Sequence, residues 1–202
     1  MEVAGDLRHA ASYLNAALAP AASQGGWDLR AGAIDWTCRD TLDHLANALC
    51  GYAASLANGL GERRRHHPRN GDPSALPADL LEIVVGFAGV LAAVAEGADT
   101  TTRAYHPAGM ADRDGFVAMG CDEILVHGHD IATGLGIEYR PPGALAGRVL
   151  ARLFPWAPAD VDPRPSGATL SVPGTDPPGP MPWWEAIRRR RSAATAPAAG
   201  AA

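Results

Sequence analysis

Gly120-Cys121-Asp122-Glu123-Ile124-Leu125-Val126-His127-Gly128-His129-Asp130-Ile131-Ala132-Thr133-Gly134-Leu135 is the stretch on which the reading of this chain turns. On a helix, residues three and four apart share a face. Glu123 and His127 therefore project side by side, with Phe116, Met119, Gly120, Asp130, Ile131 and Gly134 on the same side. The opposite side carries Ala118, Cys121, Leu125 and Ala132. A helix apolar nearly all round belongs at the centre of a fold. Burying an ionised carboxylate without a partner costs several kcal/mol or forces protonation. A divalent metal removes that cost, and Glu-x-x-x-His offers two ligands one helical turn apart. A Glu–His hydrogen bond lining a cleft is the other reading, and two residues alone do not separate them.

The rest of the composition narrows the class. At 202 residues and 47% hydrophobic content, the chain suffices for one well-buried domain and a small appendage. Abundant alanine and only 6% aromatics favour helices packed closely through small side chains. The net charge of −5 gives no general attraction to nucleic acid or to an anionic membrane. All 17 basic residues are arginine, a sign of coding bias rather than of function. The start, Met1-Glu-Val-Ala-Gly-Asp6, has neither a basic nor an apolar leader region. The longest apolar run, Ile83 to Ala95, is bounded by Glu82 and Glu96 and is shorter than the ~20 residues of a membrane span. Cys38, Cys50 and Cys121 form no motif, so a reducing cytoplasm is the expected setting.

Periodicity predicts four substantial helices. The first runs from about Asp6 to Ala19 with a Leu7, Ala11, Leu14, Leu18 stripe, ended by Pro20. The second, about Cys38 to Ala57, opens on Thr37 as N-cap with Asp40 three residues on. Its stripe is Leu42, Leu45, Leu49, Tyr52 and Leu56, and His44 lies off the centre of that stripe as a boundary residue. Pro77 suits the first turn of a third helix, with Leu80, Val84, Phe87, Leu91 and Val94 as its stripe and Gly97 as its end. The fourth starts at Asp112 or Asp114 and stops near Gly134 to Gly136. A short fifth helix follows over Ala144 to Phe154. The fold expected is all-α: a four-helix bundle over residues 1–155, then a Pro/Gly-rich extension and disordered tail over 156–202.

Other features read as scaffold or solvated chain. His66-His67 and Arg63 to Arg65 sit in a polar loop, and Arg188 to Arg191 sit in the tail without a basic face on the body to support nucleic-acid binding. Ala168 to Val172 is the strand-like fragment, and Trp183-Trp184 can pin the tail to the bundle. There is no glycine-rich phosphate loop and no G-x-S-x-G elbow. His129, two residues from His127, points roughly 200° away from it. His9 and His106 have no partner at ligand spacing, which leaves His44 as the candidate third ligand on a regular helix.

Two motifs carry a resemblance. Trp36-Thr-Cys-Arg-Asp-Thr-Leu-Asp-His44-Leu-Ala resembles the tryptophan-led second helix of the mycothiol-dependent maleylpyruvate isomerase N-terminal domain family. Glu123-Ile-Leu-Val-His127-Gly-His-Asp130-Ile-Ala is similar to that family's Glu-x-x-x-His-x-x-Asp helix. The family belongs to the DinB-like metal-binding bundles, and the resemblance spans about residues 1–155. It implies that His44, Glu123 and His127 bind a divalent metal. His129 stands where relatives often carry an aromatic residue. The family isomerase also has a folded C-terminal domain, of which residues 156–202 are a remnant or a substitute.

The resemblance implies a thiol-dependent isomerase or transferase. Mycothiol or a similar low-molecular-weight thiol would be cosubstrate, with a small electrophile as substrate. Two histidines and a carboxylate leave zinc an open position, and the same set accepts nickel or iron(II). Asp130 is either a second-shell or substrate-facing carboxylate or a hydrogen-bonding group near the helix end. Metal-dependent hydrolysis, with Asp130 or Asp40 as base, and a non-catalytic metal-binding or dimerising bundle are the alternatives. The expected partners are small molecules, with neither nucleic acid nor membrane, for a monomer or homodimer.

Overall fold

The computed structural model describes residues 3–59, 71–106, 109–155 and 162–165. Its elements in chain order are α1 (Val3–Leu18), a 3-10 turn over Ala19–Ala21, α2 (Cys38–Asn58), α3 (Pro77–Gly97), β1 (Arg103–His106), β2 (Gly109–Asp112), α4 (Arg113–Leu135) and α5 (Gly143–Leu153). The helix starts follow local chemistry. Thr37 Oγ1 accepts the Asp40 amide at 3.0 Å, and an Asp112 carboxylate oxygen accepts the Gly115 amide at 2.7 Å. Each satisfies a backbone donor that the first helical turn leaves over. At α3 the roles reverse: Asp79 Oδ2 accepts from the Leu76 amide at 3.1 Å, and Pro77 contributes no donor. Gly136, at φ +69°, closes α4 in the left-handed conformation. Pro20 ends α1 by opening a 3-10 turn, so the first helix stops at Leu18.

α1 and α2 each pack against both α3 and α4, giving the expected four-helix bundle, and α5 lies on α4. The core is built from leucines: Leu7, Leu14 and Leu18 of α1 and Leu42, Leu45 and Leu49 of α2 are fully buried, with Phe116 of α4 among them. Helices approach α4 through its glycines. A Cβ at Gly120 would stand 2.9 Å from Leu91, 3.2 Å from Leu49 and 3.2 Å from Leu7, so three neighbouring helices meet at one missing side chain. Gly128 admits Tyr139 and Leu14, and Gly134 admits the Arg30 carbonyl and Cys38 Sγ. α5 is tied down by two arginines: Arg148 forms a two-pronged pair with Asp6 of α1, and Arg152 reaches Asp112 at 2.7 Å.

Two expectations need correction. The apolar stripe of α3 is Leu80, Leu81, Val84, Ala88, Leu91, Ala92 and Ala95; Phe87 and Val94 are only partly buried. A helix apolar on every side gives periodicity nothing to select, and alanines permit the closest approach. The antiparallel β1–β2 hairpin, pairing Arg103 with Asp112 and Tyr105 with Met110, was not expected. Its four-residue strands lack apolar alternation, and Ala104 is their one fully buried residue. The hairpin carries the chain from the end of α3 to the start of α4 and lays β1 against α2.

Several sequence features lie outside the described residues: Arg63 to Arg65, His66-His67, Ala168 to Val172, Trp183-Trp184, Arg188 to Arg191 and most of the 156–202 extension. Among the described residues, α3 is long and apolar enough to cross a membrane by length and composition, but its stripe packs into the bundle.

Candidate metal centre

α2 and α4 build the site. His44, Glu123 and His127 each offer one ligand atom within 4.8 Å of the other two, the set expected from the two motifs. His127 Nε2 lies 3.3 Å and His44 Nε2 3.8 Å from the same carboxylate oxygen, Glu123 Oε2. The two imidazole rings stand edge to face, with centroids 5.2 Å apart. The Glu123 side chain is 3% exposed and that of His127 6%, whereas His44 is 28% exposed. The boundary position that periodicity gives His44 is thus real. It places the third candidate donor at the exposed edge of the group.

These donors fit a divalent ion. Ligands about 2.0–2.2 Å from a tetrahedral zinc stand roughly 3.3 Å from one another; the two pairs that include Glu123 are 3.3 and 3.8 Å apart, and all three atoms lie within 4.8 Å. Two imidazoles and a single carboxylate are a borderline donor set that suits zinc, nickel or iron(II). A bound cation also answers the electrostatic problem of a carboxylate this deeply buried, which costs several kcal/mol when unpaired.

The surroundings hold the donors in place. Asp130 Oδ2 lies 3.4 Å from His127 Nδ1, the nitrogen opposite the one nearest Glu123, and Asp130 is 1% exposed. A carboxylate behind a histidine orients its ring. The α1–α2 loop closes over Asp130, where a Cβ on Gly32 (φ +53°) would stand 3.1 Å from Asp130 Oδ1. That loop ends at Trp36, whose ring packs on His44 at 4.6 Å and lies 6.2 Å from His127. On the far side, the Tyr52 hydroxyl donates to Glu123 Oε1 at 2.6 Å. His106 of β1 and Phe116 pack against the Tyr52 ring, with centroids 5.5 and 6.0 Å away.

Tyr52 is buried in the core, as its place in the α2 stripe predicts, and its hydroxyl has a second use that the stripe does not show. The hydroxyl was the only hint of a polar partner. His129 lies outside the donor set, as its helical phase requires. The cysteines do not join it either. All three are free; Cys38 and Cys121 are buried, and burial pushes both thiols above their ordinary range.

Fold and site together define a helical bundle of DinB-like type with a two-histidine, one-carboxylate donor set facing inward. The chain belongs to the mycothiol maleylpyruvate isomerase N-terminal domain family, which it matches over residues 7–132. No curated protein and no solved structure matches it.

Proposed function

We propose that this protein holds a divalent metal, zinc before nickel or iron(II), on His44, Glu123 and His127, and activates a low-molecular-weight thiol there. The thiol, mycothiol or a close equivalent, then adds to a small electrophile or assists its isomerisation. The observation that carries the reading is a donor set in which Glu123 and His127 are buried and His44 is partly exposed. When bound, the metal supplies a Lewis acid that lowers the pKa of a thiol and presents its sulfur. The chain supplies the rest. Trp36 forms an apolar wall over His44, and Ile131 and Phe116 are fully buried on the same helix face as Glu123 and His127. Such surroundings favour a weakly hydrated sulfur over a hydroxide that needs hydrogen-bonding neighbours. The chain's own buried thiols leave that role to an outside molecule. Membership of a mycothiol-associated family supports the same choice.

Asp130 bears on the hydrolytic alternative. It is buried behind His127 and so placed to orient that ring, not to take a proton from a nucleophile at the open edge. Free cysteines suit the reducing cytoplasm we assign to the protein. The test is a cobalt-substituted protein titrated with mycothiol. A sulfur-to-cobalt charge-transfer band should appear, and should persist in Cys121→Ala. A spectrum unmoved by mycothiol and by other cellular thiols would exclude thiol activation, and ester and amide turnover assays would then separate a hydrolase from a non-catalytic bundle.

A further inference from the structure

The two oxygens of Glu123 are used differently. Oε2 is the one on which both imidazoles converge, at 3.3 and 3.8 Å. Oε1 accepts the Tyr52 hydroxyl at 2.6 Å, the short length of a charge-assisted O–H···O⁻ bond. We propose that Tyr52 is a positioning residue that restricts Glu123 to one donor oxygen and so keeps a coordination position open for the thiol. This rests on the metal reading above. A carboxylate can bind a metal through one oxygen or two. An oxygen already holding a strong hydrogen bond is drawn away from the ion, so Glu123 contributes Oε2 alone. With two nitrogens and one oxygen bound, one tetrahedral position remains.

The fold makes this hydroxyl hard to move. Tyr52 lies two helical turns beyond His44 on α2, and helical side chains lean toward the N-terminus, which carries its hydroxyl back to Glu123. The ring is 5% exposed, with Phe116 of α4 on one side and His106 on another. His106 is brought there by β1, so the hairpin braces the residue that orients the ligand. Tyr52 touches no substrate in this arrangement. It acts through Glu123.

Tyr52→Phe keeps the ring and its packing and removes only the donor. Cobalt titration of the full-length protein, with circular dichroism to verify folding, should show about 10- to 100-fold weaker binding than wild type. The visible spectrum should also weaken toward that of a higher-coordinate cobalt, as both carboxylate oxygens reach the ion. A variant with wild-type affinity and spectrum overturns the proposal. So does weaker binding with an unchanged spectrum, which a packing defect alone would give. X-ray absorption of the zinc-loaded wild type needs no variant: two nitrogens and a single near carboxylate oxygen are expected, and a bidentate carboxylate overturns the proposal. A folded wild-type protein that takes up no cobalt overturns the metal centre itself, and this role with it.

Discussion

α3 and α4 are helices of 21 and 23 residues in one bundle, and they are used in opposite ways. α3 is apolar almost throughout, yet Ile83, Val85 and Val90 face outward. α4 carries Asp122, Glu123, His127 and Asp130, and all four are buried. Hydrophobicity therefore does not rank these helices by depth. The deeper helix is the one whose polar groups are gathered at one place: the Tyr52 hydroxyl donates to Glu123, and Asp130 lies 3.4 Å from His127 Nδ1. Glycines tell the same story. Gly120, Gly128 and Gly134 of α4 are crowded by neighbours, while the positions beside Gly86, Gly89 and Gly97 of α3 are open.

The largest effect should come from the polar side of the comparison. His44→Ala, Glu123→Ala and His127→Ala should each drop bound metal from about one ion per chain to near none by elemental analysis. His129→Ala should leave it unchanged. If His129→Ala strips the metal while His44→Ala retains it, the assignment of helix faces is wrong.

Next in size is overpacking of α4. Gly128→Ala sets a methyl carbon against Tyr139 and Leu14 at 2.6–2.7 Å, and Gly134→Ala sets one 2.4 Å from the Arg30 carbonyl. Each should lower unfolding free energy by about 1–3 kcal/mol, read as a reduced urea midpoint at constant slope. Gly134→Ala presses on backbone, which yields less than a side chain, and should cost the more of the two.

The smallest effect has the opposite sign. On α3, Gly86→Ala and Gly89→Ala meet open space and should each stabilise by up to about 0.5–1 kcal/mol. A loss of stability there would mean that the outer face of α3 is covered in solution.

How far the sequence could be read follows from the same contrast. The α4 site was legible because Glu123, His127 and Asp130 recur at helical spacing among apolar residues. His44 was reached by elimination and then by the resemblance to a known family, since its periodicity marks only a boundary. Thr37 was legible as a helix start, and the ends of α4 to within Asp112 or Asp114 and Gly134 to Gly136, because capping is local chemistry; the caps are Asp112 and Gly136. The stripe of α3 was misplaced by one edge, because a uniformly apolar helix has no phase to read. Tyr52 was hidden by its own stripe: a tyrosine that packs and also donates looks like a core residue in one dimension. The β1–β2 hairpin gave no alternation, so neither its existence nor its support of Tyr52 through His106 could be foreseen.

The measurement closest to the central claim is the metal content of the protein purified from metal-replete medium, before and after treatment with a chelator. One divalent ion per chain is predicted, lost to the chelator and restored by added zinc or cobalt, with reloading abolished in His127→Ala. A folded wild-type protein that carries no ion and takes up neither would contradict the account.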